Sequence, residues 1–340
     1  MKKLIIRACL CIVPFLIYLG TVLYVDVFNV FHRDNIRITD AARNDNYIKT
    51  RYIIDNSDKY NSFILGSSRV GNIPPQGLIA NFEGEELHWY NMTYPMGCPK
   101  DNLETVKTFL ENGVDIKCLV IGIDEISMYN TYENNSSELI EKQYQEYEKS
   151  PLSFWYKYIM VKPEFSILSQ VISQDENDAE NVSLFYEYGV DKRNIDISEP
   201  SKEKTMVKSL GCGYYFEERS ESEPINAIKE LKEICDEKGI RLIIFSSPVL
   251  ESTYEEAVSK GYIEFLEDVA AVTDFYNFSG LNQYTTNMKY YFDASHYDPF
   301  VGLKIEEIIF ADEHISDVKE FGAYITKDNA SELISYLKGE

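Results

Sequence analysis

Two short stretches, far apart in the chain, carry complementary chemistry. Residues 63–69 read Phe-Ile-Leu-Gly-Ser-Ser-Arg, an apolar run that breaks at Gly66 into Ser67, Ser68 and Arg69. Residues 293–296 read Asp-Ala-Ser-His. A serine hydroxyl is a weak nucleophile until a base removes its proton, and the base must be held by a third group. Ser68, His296 and Asp293 offer one of each, the set that serine acyl transfer requires. Of the four histidines, His296 alone has an aspartate three residues before it, in a loop ahead of an apolar helical pattern. Taken singly the pieces are ordinary, since serines cap strand ends and loop histidines are solvated. Their pairing at the first and last strand-to-helix connections is what points to a site.

The elements that would position these residues alternate. Phe63–Leu65 reads as a short buried strand, and in a parallel α/β sheet ligands lie outside the carboxyl ends of strands. Gly66 would turn the chain sharply into a helix starting at Ser68, whose free N–H groups could hold an oxyanion. Leu87–Asn91 reads as a second strand. A helix begins at Asp101, with Glu104 three residues on and Leu103, Val106, Phe109 and Leu110 on one face; Gly113 ends it. The continuous apolar run Cys118–Ile123 suits a central parallel strand. Pro224 opens a helix lined by Ile228, Leu231, Ile234 and Cys235, and Gly239 stops it. Strand Leu242–Phe245, a helix over Glu255–Val272, a strand at Phe275–Phe278 and a helix from Pro299 follow. The alternation predicts a three-layer α/β fold with a flavodoxin-like parallel sheet. Between 129 and 215 the rhythm fails, and clustered aromatic residues such as Phe154-Trp155-Tyr156 predict a helical insertion that caps the site as a lid.

The N-terminus bears on location. Lys2, Lys3 and Arg7 precede Ala8 to Val25, eighteen residues without a charge. At roughly 1.5 Å per residue this run covers about 27 Å, close to a bilayer core of about 30 Å. The positive flank places its start in the cytoplasm, and no small-x-small cleavage site follows. The reading is an uncleaved single-pass anchor over residues 1–25, a stalk and incoming helix over 26–60, an extracytoplasmic domain over 61–312 and a polar tail over 313–340. The 340-residue chain carries a net charge of −23, which argues against nucleic acid as a partner. Its six cysteines show no CxxC spacing, and a Cys98–Cys212 bridge stays open. There is no P-loop, GxGxxG or HExxH. Adjacent acids such as Asp124 and Glu125 point in different directions from a strand end, so neither a metal site nor any cofactor is expected.

Four stretches resemble the SGNH (GDSL-type) hydrolase superfamily, in particular its membrane-anchored cell-envelope branch, which includes alginate-acetylation and teichoic-acid D-alanylation proteins. The likeness covers roughly Ser62 to Phe310. Phe63–Ile73 resembles the first block, with Ser68 at the nucleophile position. Asn91–Pro99 resembles the second, where Gly97 would lend a backbone N–H to the oxyanion. Val120–Ser127 resembles the third, and Asp293–Pro299 the last, where Asp293 orients His296. The resemblance implies an esterase or O-acyltransferase acting on O-acyl groups of a surface glycopolymer, with an acyl donor and a multi-spanning membrane partner. A non-catalytic adaptor of a polysaccharide-assembly complex and a general surface esterase are the alternatives. The third block departs from the pattern: Asp124 stands where many members carry an oxyanion-donating Asn, and a carboxylate has no proton to give. Either Asp124 turns elsewhere, for instance onto Arg69, or backbone donors act alone, or the site is inactive.

Overall fold

A computed structural model of the chain describes residues 2–82, 84–135, 137–162, 164–201 and 222–339, with side chains from residue 12 onward. Six strands form the central sheet: β1 (Ser62–Leu65), β2 (Trp89–Asn91), β3 (Cys118–Ile123), β4 (Arg241–Ser246), β5 (Phe275–Asn277) and β6 (Ala323–Ile325). Their spatial order is β2-β1-β3-β4-β5-β6. The first five are parallel and β6 runs antiparallel to β5. This is the flavodoxin-like winding, with one strand added at the far edge.

The sequence dictates the layers through its period of two. Along β3, Leu119, Ile121 and Ile123 enter one apolar core, while Cys118 and Val120 enter the other. The first core is closed by helices Pro99–Glu111, Glu223–Lys238 and Tyr262–Val272, the second by Pro299–Ile309. All six residues of β3 are buried, and each Leu or Ile among them contributes roughly 1.5–3 kcal/mol.

Local departures from the sequence reading have identifiable causes. The expected helix at Ser68 is replaced by a run of tight turns, with Val70 N–H bonding Ser67 O and Gly71 N–H bonding Ser68 O, both at 3.1 Å. Gly71, Pro74 and Pro75 follow at once, and prolines cannot donate to a helix. Helix Pro99–Glu111 starts two residues before Asp101, with Pro99 at its first position. The expected helix over Glu255–Val272 is two helices, Glu251–Val258 and Tyr262–Val272, parted at Gly261 with φ +98°. Residues 313–340, expected as a tail, supply β6 and the helix Ala330–Lys338, whose Leu333 and Ile334 join the core.

The insertion and residues 26–60 pack on each other. Tyr47 and Ile48 of helix Asp45–Asp55 share a core with Tyr144, Phe154, Tyr158 and Phe185. The insertion reaches the site's surroundings through Asn130 and Asn135, whose amides donate to Met96 O at 2.7 and 2.9 Å. Asn194 also donates to Gly71 O at 3.1 Å. Residues 202–221 of the expected lid lie outside the described residues, as does Cys212. Cys98 is a free buried thiol that donates to Asp101 Oδ2 at 3.3 Å.

The N-terminal helix runs Lys2–Val25. Among the described residues, no helix is long and apolar enough to cross a membrane. The expected anchor begins at Ala8, and the side chains of its first residues fall outside that description.

Candidate active site

The carboxyl ends of β1, β2 and β3 meet where three glycines let backbones close in. Gly66 ends β1 with φ +144°, a conformation that favours glycine, and a Cβ there would stand 2.8 Å from Gly122 O. A Cβ on Gly97 would stand 2.5 Å from Gly66 O, and one on Gly122 would overlap the Val70 side chain at 2.2 Å. The loop after β1 is thereby pressed against β3 and the 94–98 loop, and Ser68 is presented at the sheet edge, half-buried.

His296 meets Ser68 there. Its Nε2 lies 2.9 Å from Ser68 Oγ, across 228 residues of sequence. On the other side of the ring, Nδ1 lies 2.7 Å from Asp293 Oδ2 and 2.9 Å from Oδ1. The tautomer follows from chemistry: an ionised carboxylate only accepts, so Nδ1 carries the proton and Nε2 is free to accept from the serine hydroxyl. Asp293 also accepts the N–H groups of Ser295 and His296 at 2.8 and 2.9 Å, so the Asp-x-x-His spacing closes on itself. Partial burial alone would raise the Asp293 pKa; the His296 hydrogen bond and charge, with the two backbone N–H groups, hold it well below the usual carboxylate range. Asp293 stays ionised and keeps the ring aligned.

The loop that carries His296 is fixed from several directions. Phe292 N–H bonds His296 O at 2.8 Å, and Tyr291 bridges Tyr297. Ala294 O accepts from Thr253 Oγ1 at 2.7 Å. Asn72, in the turns after Ser68, donates to Tyr297 O at 2.7 Å and so ties the two loops of the site together.

The two acids after β3 divide their roles. Asp124 caps helix Glu125–Tyr129 in a reciprocal capping box with Ser127 and accepts from Ser127 N–H at 3.0 Å. Its other oxygen accepts from the Ser67 hydroxyl. Both oxygens are therefore held by protein donors, and the residue is fully buried. The arginine goes to its neighbour: Arg69 Nε lies 2.6 Å from Glu125 Oε1, with both side chains buried. The helix N-terminus and Ser67 take up the first acid, and Arg69 meets the second. Burial pushes Glu125 up to about 7, against the pull of Arg69 and reinforced by Asp124. Arg69 Nη2 also donates to Ser295 Oγ at 3.3 Å, next to His296.

Gly97 N–H, the expected oxyanion donor, bonds Tyr94 O at 3.3 Å, at the long end of the useful range. Sequence reasoning missed Glu125, Ser67 and Ser295 as the groups that fix this network. The capping pattern Asp124-x-x-Ser127 was the signal that could have separated the two acids. Among the described residues no group of three or more His, Cys, Asp or Glu side chains is placed to hold a metal.

No protein-family model matches this chain, and no curated protein matches it.

Proposed function

We propose that the chain is a serine esterase or O-acyltransferase of SGNH type, held at the outer face of a membrane by its N-terminal helix. Its substrates are O-acyl groups of a cell-surface glycopolymer, delivered by an acyl donor through a multi-spanning membrane partner. The observation that carries the reading is the unbroken hydrogen-bond line from Ser68 Oγ through His296 to Asp293. In this mechanism His296 Nε2 takes the Ser68 proton as Oγ bonds the acyl carbon. The proton then passes to the departing oxygen as the acyl–oxygen bond breaks. Water or an acceptor hydroxyl repeats the sequence in reverse and frees Ser68. The N–H groups of Ser68 and Gly97 hold the oxyanion once the Gly97–Tyr94 bond yields. The departure at the third block fits, because the buried Asp124 acts as a brace for Ser67 and leaves oxyanion stabilisation to the backbone.

A second reading is favoured by that same Gly97 bond: an adaptor that kept the fold and the triad but has no open oxyanion site. A fluorophosphonate probe and a p-nitrophenyl ester separate the two. The enzyme reading expects labelling that Ser68→Ala abolishes and that His296→Ala lowers by roughly 10²–10⁴-fold, the usual worth of a general base. Equal labelling of the parent chain and Ser68→Ala removes the nucleophile. No labelling of the folded parent chain favours the adaptor.

A further inference from the structure

Two helices of the insertion each carry two apolar stripes. In Pro151–Ile159, Phe154 and Tyr158 are buried one turn apart, while Leu152, Tyr156 and the following Met160 lie on another face at 79, 62 and 58 % exposure. In Phe165–Ile172, Ile167 and Val171 are buried, while Phe165 and Ile172 are 89 and 67 % exposed with the half-buried Leu168 between them. A helix at a protein's surface needs one apolar stripe for its core. The second stripe on each helix has no use in water, and contiguous exposed apolar surface marks an interaction site.

Continuity with the N-terminal helix identifies the occupant. Tyr18 Oη lies 3.3 Å from Ile159 O and 3.4 Å from Val161 O. Val25 packs with Ile167, Val171 and Leu168 in one small core. Ahead of that contact, Ile12, Val13, Phe15, Leu16 and Ile17 are each about half exposed or more. The exit from the helix is also rigid: Asp26 accepts the N–H groups of Val30, Phe31 and His32 at 3.0, 2.7 and 2.8 Å. Residues 151–172 hold Lys157, Lys162 and Glu164, two cations and one anion, in a chain of net charge −23. The strip is therefore spared the repulsion that the rest of the molecule would meet at an anionic surface.

We infer that helices Pro151–Ile159 and Phe165–Ile172 form a membrane-seated collar: Leu152, Tyr156, Met160, Phe165 and Ile172 enter the lipid interface beside the N-terminal helix. The collar sits at the level of Tyr18, where interfacial tyrosines are favoured. Ten uncharged residues, Ala8 to Ile17, precede Tyr18, and at about 1.5 Å each they span about 15 Å of lipid. The collar holds the catalytic domain against the membrane at a fixed height and tilt. The inference rests on the proposal that the N-terminal helix is a membrane anchor.

The full chain in neutral phosphatidylcholine nanodiscs tests it, with a lipid carrying a diazirine high on its acyl chain and adducts mapped by mass spectrometry. Adducts on peptides from 151–172 as well as on residues 12–24 are expected. The exposed-site variant Leu152→Ser/Phe165→Ser/Ile172→Ser should lower the first at least about fivefold and leave the second unchanged. Adducts on residues 12–24 alone overturn the collar and keep the anchor. Adducts on 151–172 alone overturn the anchor and with it the collar beside it, and adducts on neither overturn both. Protein–protein crosslinks through 151–172 in place of lipid adducts assign the strip to a second copy and overturn the proposal.

Discussion

Glu125 braces the loop that carries Ser68. It holds Arg69 at 2.6 Å where neither side chain meets solvent, and Arg69 follows Ser68 directly while touching Ser295 beside His296. A buried guanidinium stripped of its partner keeps its desolvation cost and loses its compensation, which is worth about 3–5 kcal/mol. Glu125→Ala is therefore expected to lower stability by that amount, read from the urea midpoint at constant slope. Glu125→Gln keeps an acceptor for Arg69 and should cost less. A loss below about 1 kcal/mol in Glu125→Ala would show that the ion pair carries little and that the Ser67–Asp124 bond alone holds the loop.

At the scale of elements, the site depends on how closely the loop after β1 can lie on β3. Gly122 faces Val70, and a Cβ would stand 2.2 Å from Val70 Cγ2 and 3.0 Å from the Phe245 ring. Overpacking of this kind costs about 1–3 kcal/mol, and it would lift the turn that carries Ser68. Gly122→Ala should destabilise the chain and slow Ser68 labelling together. Val70→Ala removes the obstructing methyl groups, so the double variant should be less destabilised than the sum of the singles by about 1 kcal/mol or more, the range of coupling between touching residues. Strict additivity would place the strain elsewhere. The same loop shows what a reader of the sequence can and cannot see. Ser68, Asp293 and His296, which the fold brings together, were legible because each signal is local: a strand ending in glycine and serine, and an Asp-x-x-His that bonds itself. The split between Asp124 and Glu125 was missed, because it is decided by which residue caps the next helix, and its sign in the sequence is only the short pattern Asp124-x-x-Ser127. β6 escaped notice for another reason: three residues of an antiparallel edge strand, after Gly322 with φ +87°, leave no apolar run to read. The packing of the insertion on residues 26–60 was hidden too, since aromatic clusters announce a core without naming the partner.

For the whole molecule, acids buried away from water set the pH response. Burial pushes Asp101 up to about 6, even though Asn135, Cys98 and Gln143 donate to it. Burial likewise raises Glu125 and Glu141 to about 7, and lifts Glu306 well above its usual range. In each case the folded state holds the proton more tightly than the unfolded chain. Their contribution to stability is complete below the ordinary carboxylate range and is lost as pH rises through about 6 to 7. Asp293 works the other way, but its contribution is lost only in strong acid, as pH falls through its depressed folded value. Between pH 5 and 8 the raised acids govern, and the melting temperature is expected to be higher at pH 5.5 than at pH 8, by roughly 1–2 °C for each 1 kcal/mol in a chain of this size. Net charge of −23 pushes the same way through self-repulsion, so salt must separate the two causes. At 1 M the screening length is about 3 Å, which removes repulsion between exposed carboxylates and leaves buried ones untouched. A slope from pH 5.5 to 8 that survives 1 M salt in differential scanning calorimetry belongs to the buried acids. A slope that vanishes there belongs to the surface, and the raised values of Asp101, Glu125 and Glu141 would then be wrong.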